Sequence, residues 1–401
     1  MRGAAAWPLL GLLAAACARG DAPGPAALAT STVRDSAGVR LVASSAPAWG
    51  ERGGWRVEAR PQFEVGGVAG DVARDFAGIR GAVRLADGSV AVADGASGEV
   101  RRFAADGTHL GSFAGRGDGD GKVRQLGRLL ARGDTLVVWD DARRAAMGFL
   151  PDGTFLGATP VEGVDAGQPL RFIGLLPDAR AVLARARLDL PMRFSGEMVR
   201  VPVELLTWHR GAPAALAQLA GDEVVLQRGG GRTGVALRPF GLAARVVVRD
   251  SVVVVGDGAA HRFIAYGGDG AVRMVFGRAG ARLPVLAADT AREHAQRLGA
   301  ARSMRERESV DAIWRTSPPP DSLPAHGEMV ADRGGALWIR VTAHVGDPAS
   351  RWDVYAADGP WLGTVALPDR TTPLDIGPDW IVLRRVDADG VEHVALHRLR
   401  R

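Results

Sequence analysis

Apolar residues in this chain fall into short runs of four to six, each opened by Asp or Gly and rich in Val, Leu, Ile and Trp. One run is Val90-Ala91-Val92-Ala93-Asp94 after Asp87-Gly88-Ser89, and a second is Thr135-Leu136-Val137-Val138-Trp139-Asp140 after Gly133. Others are Ala181 to Ala184 after Asp178, Val252 to Val255 after Asp250, Ala336 to Ile339 after Gly335, and Trp380 to Leu383 after Gly377. β-Branched and aromatic content bounded by turn residues predicts strands, and the six copies predict a repeat.

A second element follows about 19 residues later in the most regular copies, as a four-strand repeat unit requires. It is a hairpin around Asp-Gly: Phe103 to Gly111 about Asp106-Gly107, and Phe149 to Gly157 about Asp152-Gly153. Weaker versions surround Asp269-Gly270 and Asp358-Gly359, and a degenerate one surrounds Arg210-Gly211. Asp-Gly supplies the positive φ of a tight turn. Two linked strand pairs in about 45 residues make one blade of a propeller. The predicted fold class is therefore all-β, a six-bladed β-propeller with blades at 78–116, 126–160, 171–220, 240–277, 330–367 and 371–399.

Two intervals are too long for this repeat. One is 188–202, inside the third blade; the other is 286–322, between blades four and five, where a short helical insertion is expected. There Thr290 and Glu293 have capping-box spacing, and Ala291, Ala295, Leu298, Ala301 and Met304 form a stripe at helical spacing, stopped by Ser317-Pro318-Pro319-Pro320. The sixth repeat runs out of chain after its third strand, Val391 to Leu399. An open ring would expose two sheet edges, and the segment from Trp55 to Gly66 is free to supply the missing outer strand.

The N-terminus changes the domain picture. Arg2, the apolar stretch Ala4 to Leu13 and the small residues before Cys17 form the three parts of an export signal, too short to span a bilayer. Cys17 is the only cysteine, so no internal disulfide can form. Leu13-Ala14-Ala15-Ala16-Cys17 resembles a bacterial lipobox, which implies lipid attachment at Cys17; ordinary cleavage near the same site is the alternative. Residues 1–17 are thus expected to be a signal peptide, 18–36 a flexible tether rich in Ala, Pro and Gly, and 37–401 the propeller. The expected address is the cell envelope, with membrane contact through the anchor.

Charge excludes one class of partner. The formal net charge of +5 is small for 401 residues, and the positive side chains are Arg apart from Lys122 and are interspersed with acids. A nucleic-acid binder concentrates its positive charge, so no nucleic-acid partner is expected, and the chain is expected to be a monomer.

The chain resembles the six-bladed, NHL-like propeller lipoproteins of bacteria. The residues that carry the likeness are Val33 to Val39, Leu85 to Asp94, the Gly-rich loop Gly115 to Gly121, Leu323-Pro324-Ala325, Gly335 to Arg340 and Trp352 to Tyr355. The loop departs from the family pattern at Asp120 and Lys122-Val123. The resemblance covers about nine tenths of the chain and implies a fold and an address; its motifs mark architecture more than chemistry.

Catalytic motifs are absent from the sequence. Gly95 to Gly98 has the wrong spacing for a nucleophile elbow, Gly229 to Gly234 lacks the ending of a phosphate loop and predicts a flexible surface loop, and His294 has no second histidine four residues on. Asp118-Gly119-Asp120-Gly121 starts like a calcium loop but lacks the later bidentate acid. Asp94, Asp140 and Asp257 follow equivalent strands, so repeat symmetry should bring them to one end of the ring as a ligand-facing cluster; the competing expectation is that each caps its own turn. No catalytic residue, metal ligand or cofactor is assigned. Two function classes follow. One is a binding or scaffold module for a protein, peptide or glycan. The other is a metal-dependent hydrolase or lyase, disfavoured because the chain contains no asparagine, a metal ligand in the sugar-lactonase propellers.

Overall fold

Strands whose two faces are both covered must be apolar throughout, and the strand Val90–Asp94 is buried at every position while the outer strand His109–Ala114 alternates. The computed structural model describes residues 30–401 apart from 51, 52, 68, 69, 166, 191–193, 195, 210, 212, 230 and 231. The expected signal peptide, the lipid-attachment residue Cys17 and most of the tether lie outside the described residues.

Among the described residues the strands form six sheets. Sheets one, two and five are four-stranded antiparallel meanders spanning 79–114, 126–160 and 326–367; the others have added strands. The Asp-Gly turns carry the predicted backbone: Gly107 has φ +85° and Gly153 φ +92°, and a Cβ on Gly153 would approach Phe113 to 2.8 Å. Buried side chains gather in six clusters, each drawn from two successive sheets. Sheet two meets sheet three through Trp139 stacked on Phe172, ring centres 4.8 Å apart. Sheet six returns to sheet one through Trp380, Val382 and Val394 against Val90, Val92 and Phe103. This succession, each sheet covering the next and the last covering the first, is propeller-like.

The sixth sheet is completed from the other end of the chain. Glu392–Arg400 pairs antiparallel with Phe63–Gly66, in the register His393 to Gly66 and Leu396 to Phe63, and its end pairs with Arg56–Val57. The Glu392 carboxylate accepts hydrogen bonds from the amides of Gly78 (2.5 Å) and Ile79 (2.8 Å), tying the same strand to sheet one.

Four expectations are corrected. Residues Ser31–Ser36, expected in the tether, form a strand paired with Val39–Ser44, which joins sheet four in parallel beside Val272–Arg278; Val42 is buried in the cluster of Met274 and Phe276, while Val33 stays exposed. The third sheet extends past 220 as a ribbon of Met198–Trp208, Pro213–Gly229 and Arg232–Leu237, so Arg232 to Gly234 lies in a strand and not in a loop.

The insertion at 286–322 contains two helices, α1 (Ala287–Ala300) and α2 (Met304–Thr316). α1 starts earlier than the Thr290–Glu293 pair implied, because the Asp289 carboxylate accepts the Leu286 amide at 3.0 Å. The chain breaks before Met304, where Ser303 caps α2 through the Glu306 amide (3.2 Å). Ala291 and Ala295 are exposed; the helices meet instead through His294, stacked on Trp314 and bonded to Asp311.

Candidate functional site

The innermost strands are Ile79–Arg84, Leu126–Arg132, Leu170–Leu175, Arg245–Arg249, His326–Ala331 and Thr371–Ile376, one per sheet. They surround an axial cavity of about 510 Å³. Val83, Leu129, Ile173, Val247, Met329 and Leu374 give it an apolar wall. All six strands run the same way along it, which defines an upper end at their starts and a lower end at their finishes.

The lower end holds a bonded network. Arg333 binds Asp375 through Nε (3.0 Å) and Nη2 (2.6 Å) and donates to the Arg84 carbonyl (2.7 Å), while the Arg84 amide donates to Asp375 (2.8 Å). Both guanidiniums lie over the Trp380 ring, at 4.9 and 5.2 Å. Burial pushes the Asp375 carboxyl above the usual carboxylate range, and Arg333 pulls against that.

The upper end is different. Arg80, Arg128, Arg171 and Arg245 stand within the first three residues of four successive innermost strands. Loss of water, then the neighbouring Arg171 charge, push Arg128 below the ordinary arginine range. Arg171 keeps accessible surface, yet the protein around it and Arg245 push it the same way, with Asp222 opposing. The Asp141 carboxylate lies over Gly127, holds the Trp139 indole N–H at 2.8 Å and is raised chiefly by burial, with Arg80 working to lower it.

The predicted aspartates hold turns. Asp94 accepts from the amides of Ala77 (3.0 Å) and Ser97 (3.1 Å) and from the Ser97 hydroxyl (2.8 Å), and pairs with buried Arg101. Asp140, fully buried, accepts from the amides of Arg124, Gln125, Ala142 and Arg143 at 2.7–3.2 Å. Asp257 is exposed and caps the Ala259 amide at 2.9 Å. All three occur at the upper-end turns, and none lines the axial cavity. Asp118 is engaged by Arg124 and Arg143.

His326 is buried with both ring nitrogens used: Nε2 accepts from the Gly258 amide (3.2 Å) and Nδ1 donates to the Gly327 carbonyl (3.1 Å), which fixes the neutral tautomer. His344 and the Val345 amide bind Asp289 at 2.8 Å, fastening α1 to sheet five. Among the described residues no three His, Cys, Asp or Glu side chains are grouped as metal ligands, and no helix is long and apolar enough to cross a membrane. Sequence reasoning missed the four arginines. The available signal was an Arg near the start of the first strand in four successive repeats.

Neither a family model nor a curated protein sequence matches the chain. Among solved structures, a member of the DUF4221 family from Bacteroides vulgatus superposes with a TM-score of 0.51 at 9% identity, covering 86% of this chain and 98% of its own. A catalytically inactive virginiamycin B lyase from Staphylococcus aureus gives 0.40 at 11% identity, over 85% and 99% of the two chains. Regucalcin, a calcium-binding protein from Agrobacterium tumefaciens, gives 0.42 at 12%, over 86% and 95%. The likeness defines a class, mostly β and propeller-like. At such identities it speaks for the fold alone.

Proposed function

We propose that the protein is an exported binding module: a six-bladed β-propeller carried on a lipid anchor at Cys17, which presents the upper mouth of its axial cavity to a peptide, glycan or protein ligand. One observation carries the preference for binding over catalysis. The groups near that mouth able to exchange protons are occupied in holding the frame, Asp94 and Asp140 by amides and His326 through both nitrogens. Beside these, Asp141 holds the Trp139 indole and Asp222 lies near Arg171, while the guanidiniums bind anions and do not give up protons.

The mature protein, incubated with arrayed peptides and glycans, should retain a subset saturably and release it intact by mass spectrometry. Conversion of the ligand, or a stoichiometric divalent ion on the purified protein, would instead assign the chain to the metal-dependent hydrolases and lyases. For the anchor, radioactive fatty acid should label the wild type and leave Cys17→Ser unlabelled; label on that variant removes the anchor from the reading.

A further inference from the structure

We propose that the upper mouth of the axial cavity is an anion site that recognises an oxyanion, carboxylate or phosphate, on a compact ligand whose less polar body enters the cavity. This rests on the binding function proposed above and names the chemical class of its ligand. Arg80 and Arg128 line the axial cavity, and Arg171 and Arg245, near the starts of the innermost strands of sheets three and four, line separate clefts. Among the described residues none of the four has a hydrogen-bond or ion-pair partner, in a protein where most other arginines at sheet junctions do, including Arg101, Arg180, Arg278 and Arg333.

Arg80 lies near Asp141 and Arg171 near Asp222, neither bonded to its carboxylate. Arg128 is half-buried, and both its partial loss of water and the nearby Arg171 charge disfavour its cation in the unliganded fold. An oxyanion between them would relieve both, and the planar fork of arginine suits it geometrically. The cavity's volume of about 510 Å³ is that of an ordinary small-ligand pocket. Its wall below the arginines is apolar, so field lines concentrate at the mouth.

The test is titration calorimetry of the mature protein with inorganic phosphate and with citrate, against chloride at matched ionic strength. Saturable binding of either anion is expected, and which one binds separates the phosphate source from the carboxylate source. Arg128→Gln/Arg171→Gln should weaken the bound anion at least tenfold while melting no lower than wild type without anion. Arg305→Gln, on the exposed face of α2, should stay within about twofold. If the double Gln variant does not fold, Arg128→Lys/Arg171→Lys keeps the charge, removes the forks and should weaken binding about threefold.

No saturable binding beyond chloride, or equal affinity in a folded Gln or Lys double variant, overturns the proposal. Ligand turnover or bound metal with anion affinity intact would instead defeat the binding function and leave the anion site standing.

Discussion

The two ends of the axial cavity use the same residue type to opposite effect. At the lower end Arg333 is paired with Asp375, which also accepts the Arg84 backbone amide, and both guanidiniums lie over Trp380, so these groups join sheets five, six and one. At the upper end four arginines stand with no bonded counter-charge. An arginine's role in a ring of sheets is set by whether its repeat also supplies an acid at that level. Here the lower acid is bonded to an arginine, whereas the upper acids hold turns or stand unbonded to the arginines near them.

The largest expected effect comes from breaking the bonded end. Asp375→Ala strands Arg333 and the Arg84 amide, and should cost about 2–4 kcal/mol in urea unfolding. An unchanged midpoint would show that the lower network contributes nothing.

Acid sharpens the contrast next. Burial, then the Arg278 charge, hold His261 down at about 4, and burial lowers His326 as well. Because the folded value lies below the unfolded one, the unfolded chain takes up protons that the native one refuses. Stability from His261 is complete above about pH 6.5 and is lost as pH falls towards 4, amounting to roughly 2–3 kcal/mol. Urea midpoints at pH 7 and 4.5 should therefore differ less in His261→Gln than in wild type; an identical pH dependence refutes the assignment.

Smaller still is Arg128→Met, which removes a poorly hydrated charge beside Arg171 and should raise unliganded stability by about 1 kcal/mol. A clear destabilisation would mean Arg128 has a partner in solution. Arg80→Gln, at an exposed position, should move the midpoint by no more than about 0.5 kcal/mol.

Much of the fold was legible because its determinants are local. Asp-Gly turns and uninterrupted apolar runs such as Val252 to Val255 specify strands whichever sheet they join, and the shortage of strands in the last repeat pointed to Trp55–Gly66 as its complement. What was hidden depends on partners distant in sequence. Nothing local to Ser31–Ser44 says that it docks on Val272–Arg278, and the stripe through Ala291 and Ala295 is too small-sided to require burial.

The site was less legible for the same reason. Asp94 and Asp140 had the right address in the repeat, but whether a carboxylate faces a ligand or its own turn depends on which amides surround it. The arginines escaped notice because a single Arg in a strand is unremarkable; their meaning arises only when four sheets set the starts of their innermost strands side by side.

The strand shared between the two chain ends has a temporal consequence. Phe63–Gly66 is made long before Glu392–Arg400 and must remain unmatched until that strand becomes available. Until then, two raw edges are open to other chains. Loss of Glu392–Arg400 would leave the whole molecule without a seam.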